Sequence, residues 1–441
     1  MVSGVPRGGA TPTSTGAGLR TSVAGGIIGK AVEMVTLVAL AVVVPRVLGA
    51  DDYGPFAVAL TVVTLGSLAL TLGGHTMMAR YVPAAPEPDR PAVARALAIR
   101  LARSRGALLL VLVASGAIGV LAAPGVFDPT ITALVMVALV ANVTTTLVLQ
   151  AGLGLGRTGL WSARFPFQNA VLVVAAVVLH QVGGLTGSVV AIVVAGAVTA
   201  GLAIALLWSS VVSPADDHGA DTVPSDAVEL PDGALRFGAL QAAGAALTQL
   251  THRGGVLAVA VLVGSETETG STALAVGIAL GATYAILQLF TVALPHLSDG
   301  ERDGEAVLRR LCGAALLVVV PATLVAGLTL GSMVPFVFGD DFADAAPAFG
   351  PGLGAIVLAP VASLFVQASA LRLRPDAALT IGVVSAIAFV LVAVAAVPAW
   401  EAVGGVAATL VGVAAGVIAA HVLLPGAAGH RLVASSLAAA A

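Results

Sequence analysis

Apolar stretches long enough to cross a bilayer follow one another along nearly the whole chain, separated by short polar breaks. A helix needs about 20 apolar residues to cross a hydrocarbon core about 30 Å thick. On that measure the pattern predicts spans at about 22–48, 55–80, 97–122, 131–154, 160–182, 187–211, 235–264, 272–297, 307–335, 346–371, 377–399 and 403–425. The longest break, 212–233, holds Asp216, Asp217, Asp221, Asp226, Glu229 and Asp232 and neither Lys nor Arg. It divides the spans into an N-terminal set over 22–211 and a C-terminal set over 234–425, joined by an acidic linker. Residues 1–21 are rich in Gly, Ser, Thr and Pro and read as a disordered tail, and 426–441 as a second tail. The first apolar stretch exceeds the length of a signal-peptide core, and no cleavage site follows it, so it reads as a retained span.

Composition agrees with the pattern. Of 441 residues, 58% are hydrophobic and 10% charged, against about 25% charged in soluble domains. The apolar mass is largely Ala, Val, Leu and Gly, with aromatic residues at 4%, which suits closely packed helices. A net charge of -3 leaves no basic surface for nucleic acid. The single cysteine, Cys312, excludes an internal disulfide.

Charge also orients the spans. With the N-terminus inside, all of the 20 Lys and Arg residues except Lys30, Arg46 and Arg253 fall in cytoplasmic loops and tails or at the cytoplasmic ends of spans. Arg46 is external, and Lys30 and Arg253 lie within spans. A wrong span count would scramble this asymmetry, so the positive-inside rule supports about twelve spans with both termini cytoplasmic. A weak internal repeat accompanies it. Leu48-Gly49-Ala50-Asp51-Asp52-Tyr53-Gly54 ends the first span, and Val263-Gly264-Ser265-Glu266-Thr267-Glu268-Thr269-Gly270 ends the seventh, at a spacing of 215–216 residues. Two equal halves of six spans are expected to be related by an axis along the membrane normal, with substrate handled between them.

Ordered motifs add a resemblance. Pro45-Arg46-Val47-Leu48-Gly49-Ala50-Asp51-Asp52-Tyr53-Gly54 is similar to the first external turn of the polysaccharide and lipid-linked oligosaccharide flippases. Arg80-Tyr81-Val82, Leu235-Arg236-Phe237-Gly238, Leu294-Pro295-His296-Leu297-Ser298, Phe338-Gly339-Asp340-Asp341-Phe342 and Gly404-Gly405-Val406-Ala407-Ala408-Thr409 resemble further motifs of that family, in the family's order. Together they cover about 22–425. The resemblance implies the multidrug/oligosaccharidyl-lipid/polysaccharide exporter superfamily, that is, an all-α membrane protein. Two six-helix bundles would surround a central cavity open alternately inward and outward. Two departures stand out. Thr251-His252-Arg253-Gly254 replaces the acidic residue usual in the middle of the seventh span, and twelve spans are fewer than the fourteen of the murein lipid II flippase branch.

Polar groups within spans are site candidates because they are expensive there. Arg253 lies 11 residues before Gly264, or roughly 16 Å below the outer end of its span, near the midplane. A guanidinium at that depth suits the pyrophosphate of a polyprenyl-linked sugar; a structural ion pair with another helix is the competing explanation. His252 beside it is either titratable or a hydrogen-bonded structural residue. Lys30 and Glu33, three residues apart on one helix face, line the inner part of the cavity or pair with each other. Arg164 opens the fifth span, where it meets phosphate from the inner leaflet or serves as an ordinary positive-inside charge. Arg46 is expected to snorkel or fix its turn. Asn142, Gln249, Gln288 and Gln367 are expected to make interhelical hydrogen bonds, and Arg90–Arg105 to contact anionic headgroups. No nucleotide loop, Cys/His metal cluster or nucleophile motif is present in the sequence, so neither catalysis nor a cofactor is expected.

Three functions remain in view. A flippase would carry an undecaprenyl-pyrophosphate-linked oligosaccharide across the inner membrane by alternating access, for surface polysaccharide synthesis, and hand it to a polymerase and assembly proteins. A cation-coupled drug efflux pump would want an acidic midplane site. A membrane polysaccharide polymerase or ligase would want a large external loop with Arg or His.

Overall fold

The computed structural model describes residues 16–71, 74–122, 128–207, 234–293, 304–371 and 374–424. The acidic linker 212–233 and the tail 426–441 lie outside these residues, as does most of the N-terminal tail. Ten α-helices make up the described chain: α1 Gly16–Thr71, α2 Gly74–Ala84, α3 Arg90–Ala122, α4 Pro129–Gly154, α5 Thr158–Leu207, α6 Ala234–Leu262, α7 Glu266–Ala293, α8 Gly304–Phe338, α9 Ala346–Leu371 and α10 Pro375–Leu423. No strand occurs among the described residues. Helix α1 begins at Gly16, inside the segment expected to be a tail.

Among the described residues, eight helices are long and apolar enough to cross a membrane. Three of them, α1, α5 and α10, are 56, 50 and 49 residues long. Each would be more than twice the thickness of the hydrocarbon core if it ran straight. Each instead turns at one residue with non-helical backbone: Gly49 in α1, Gly184 in α5 and Glu401 in α10. At the turns of α5 and α10 the chain doubles back tightly: a Cβ on Gly187 would collide with the Leu179 carbonyl, and one on Gly404 with that of Ala396. Eight helices, three of them double, together with α3 account for the twelve spans of the sequence pattern. The tight external turns simply leave no coil to mark the boundary.

Small residues bring the helices together. Helices α6 and α10 meet backbone to backbone at Gly244, Gly255, Gly382 and Gly405, the kind of packing that replaces a hydrophobic driving force in lipid. The exposed side chains are apolar, as on α8, where Leu317, Leu324, Leu328 and Phe336 face outward. At the cytoplasmic start of α10, Arg374 pairs with Asp376 at 2.8 Å, and its guanidinium holds the Asp376 carboxyl below the usual carboxylate range.

Glu401 turns at φ 48° and ψ -120°, a region costly for any residue with a Cβ. We therefore expect Glu401→Gly to stabilise the fold by about 1 kcal/mol, read as a higher thermal unfolding midpoint in detergent; a lower midpoint would contradict the strain.

Candidate functional site

The two external turns singled out in the sequence meet each other across the halves. A Cβ on Gly54 would lie 2.3 Å from the Glu266 carbonyl oxygen, and a Cβ on Gly270 would lie 2.3 Å from that of Ala50. The contact is reciprocal, as across a two-fold axis. Thr267 donates to Asp51 Oδ1 at 2.6 Å across 216 positions of sequence, joining equivalent residues of the two halves. The repeat therefore has a register of 216 residues and a pseudo-two-fold axis through this contact. Only glycine permits such an approach of two backbones at positions 54 and 270.

Further contacts seal the same end. Arg46 donates to the carbonyl oxygens of Phe336 and Val337 at 3.4 and 3.1 Å, at the end of α8. The expected snorkelling residue is thus a clasp between the halves. Tyr53 packs edge-on against Phe342 with ring centroids 6.1 Å apart. Glu268 accepts from the Ala402 amide at 3.3 Å and so ties α7 to the turn of α10. Beneath lies one apolar cluster with members from both halves, among them Val44, Phe56, Val63, Val256, Leu274 and Phe342. The other clusters of buried residues each stay within one half. The halves are closed on each other at the external end.

Arg253 stands just below this closure. On α6, Thr251, Gly254 and Gly255 face α10. At 100° per residue, Gln249, Arg253 and Val256 project from the opposite side. Val256, about one turn nearer the outside, is 3% exposed within the cluster shared by both halves. Arg253 is half-buried. Its Nε is shut from solvent without a hydrogen-bond partner, and no ion pair involves it among the described residues. Placing such a charge at the centre of a span costs roughly 2.5–3.5 kcal/mol on insertion scales. No buried carboxylate that would make it a structural pair faces it among the described residues.

The other candidates are dispersed. His252 is half-buried beside Arg253 and projects from a different face. The side chain of Lys30 lies outside the described residues. Glu33 is half-buried and engaged in an interaction of its own; the 216-residue register makes it the counterpart of Gln249. Arg164 is 8% exposed, lies 5.9 and 4.9 Å over the rings of Trp161 and Phe165, and leaves its Nε without a partner. Nothing brings it beside Arg253. Asn142 and Gln168 pair between α4 and α5 at 2.6 Å, as expected of interhelical amides. Gln249 does not, because its Oε1 is buried and unpartnered.

Arg105 is the residue that the sequence placed wrongly. Arg95, Arg100 and Arg103 are exposed, as a headgroup-facing stretch requires, but Arg105 is 2% exposed. It donates to the carbonyl oxygen of Thr71, the last residue of α1, where the helix dipole favours a cation.

No family model matches the sequence, and no curated protein does. Solved structures do match. The chain superposes on the lipid II flippase MurJ in an inward closed conformation with a TM-score of 0.69 at 8% identity, covering 94% of this chain and 90% of that one. An inward-facing multidrug resistance MATE family transporter of the MOP superfamily matches with a TM-score of 0.60 at 15% identity, over 94% of this chain and 100% of the other. The chain shares the fold of these transporter structures. A third match, the Vibrio cholerae MATE transporter VcmN in its bent form, gives a TM-score of 0.59 at 14% identity, over 95% and 98% of the two chains. The shared fold agrees with the one that the ordered motifs of the sequence imply.

Proposed function

We propose that this chain is a flippase of the inner membrane that moves an undecaprenyl-pyrophosphate-linked oligosaccharide from the cytoplasmic to the external leaflet for surface polysaccharide assembly. One observation carries the reading: the unpaired Arg253 guanidinium below a closed external end, on the face of α6 turned away from its own bundle. A fixed cation so placed needs an anion, and a pyrophosphate matches its donor fork. Lys30 and Glu33 would line the inner part of the cavity, His252 would stand beside the Arg253 site, and Arg164 would meet phosphate arriving from the inner leaflet. The polar head crosses between the halves while the lipid tail stays in the bilayer, and alternating access opens the external contact once the head is bound. A polymerase and assembly proteins would take the product.

The efflux reading shares the fold of the MATE structures, but a cationic drug would meet a guanidinium beneath the closure. Reconstituted vesicles separate the two. Lipid-linked oligosaccharide placed in one leaflet should become accessible to an impermeant glycosidase on the far side only when the protein is present, and a lipophilic cation should not be moved. Export of the cation without exposure of the glycan would overturn the proposal.

A further inference from the structure

The amide of Gln249 is the second unsatisfied group of the site, and it asks for something that a phosphate lacks. Gln249 precedes Arg253 by one helical turn on the same face of α6, about 6 Å along the axis toward the cytoplasm. Its Oε1 is buried without a hydrogen bond, like Nε of Arg253. Leaving a buried carbonyl oxygen unpaired is unfavourable; the amides of Asn142 and Gln168 satisfy each other at 2.6 Å, whereas Gln150 Oε1 on α4 is left unpaired like that of Gln249. Two neighbouring unpaired groups of opposite hydrogen-bonding sense, donor above and acceptor below, describe a ligand with the complementary order. An ionised pyrophosphate offers only acceptors, which serve the guanidinium and leave the Gln249 carbonyl unmet. The matching donor must therefore come from the group attached to the phosphate on its cytoplasmic side.

We infer that Gln249 reads a hydroxyl or N–H donor on the first sugar joined to the pyrophosphate, so that the site selects glycosyl pyrophosphates over the bare polyprenyl pyrophosphate. This rests on the proposed role of Arg253 as the phosphate ligand. It makes Gln249 a specificity-determining residue: Arg253 supplies affinity for any pyrophosphate lipid, and Gln249 supplies the preference for one that carries a sugar. A site that prefers the loaded carrier also avoids returning the empty carrier through the same path.

The test is equilibrium binding of two labelled lipids, undecaprenyl pyrophosphate and the same lipid bearing one sugar, to the detergent-solubilised full-length protein. The wild type should bind the sugar-bearing lipid about tenfold more tightly. Gln249→Met, close in shape but without the amide, should lose that preference, the affinity for the sugar-bearing lipid falling about tenfold to that for the bare one. Equal binding of both lipids by the wild type, or an equal loss for both in Gln249→Met, would overturn the inference. Arg253→Ala reports separately on the underlying reading: it should weaken both lipids alike, and if it weakens neither, the phosphate site itself is wrong whatever Gln249 does.

Discussion

A double variant, Asp51→Cys with Thr267→Cys, should lock the protein shut on its external side when oxidised. These side chains already meet at 2.6 Å across the pseudo-two-fold axis, and the backbones beside them touch through Gly54 and Gly270. A disulfide needs Cβ atoms about 3.8 Å apart, a separation that this contact brings within reach of a small adjustment. Cys312, the one native cysteine, is buried in α8, so replacing it with Ser gives a clean background. Alternating access requires the contact to part in every cycle. Oxidation should therefore abolish translocation at least tenfold, reduction should restore it, and neither single variant should respond. Undiminished transport by the cross-linked protein would show that the halves do not separate there.

The second large effect belongs to Arg253. Removing it, as in Arg253→Ala, should reduce translocation of a pyrophosphate-linked glycan by two orders of magnitude or so, since a charge-assisted bidentate contact is worth roughly 1.5–3 kcal/mol. Arg253→Lys should recover only part of this, because an ammonium keeps the charge and loses the fork. Folding should survive both changes, for Arg253 makes no hydrogen bond or ion pair among the described residues. Losing an unpaired charge from the middle of a span should raise the thermal midpoint slightly, whereas a structural ion pair would make it fall.

Much of the architecture was legible because lipid imposes a length on every apolar block and the positive-inside rule sets the parity of the loops. The repeat was legible too, and the contact of Gly54 with Gly270 sharpened its spacing to a single register. What could not be read was which polar groups find partners. Arg105 sits in a run of arginines that face headgroups, and nothing local marks it as the one that turns inward to the end of α1. Gln249 looks in sequence like Gln168, yet Gln168 finds an amide on a facing helix and Gln249 does not. Arg46 was legible as an external charge, while its role as a clasp depends on α8, some 290 positions away. The spacing of four between Gln249 and Arg253 was the one available clue, since it places both on a single helix face.

Accessibility of position 253 tests the account most directly. In a Cys312→Ser background, Arg253→Cys should react with a charged, membrane-impermeant thiol reagent added from the cytoplasmic side. A lipid-linked pyrophosphate sugar should protect it and a lipophilic cation should not. A thiol that reacts only with lipid-soluble reagents, or that the pyrophosphate lipid fails to protect, would contradict the claim that Arg253 faces a water-filled cavity and holds an anionic head there.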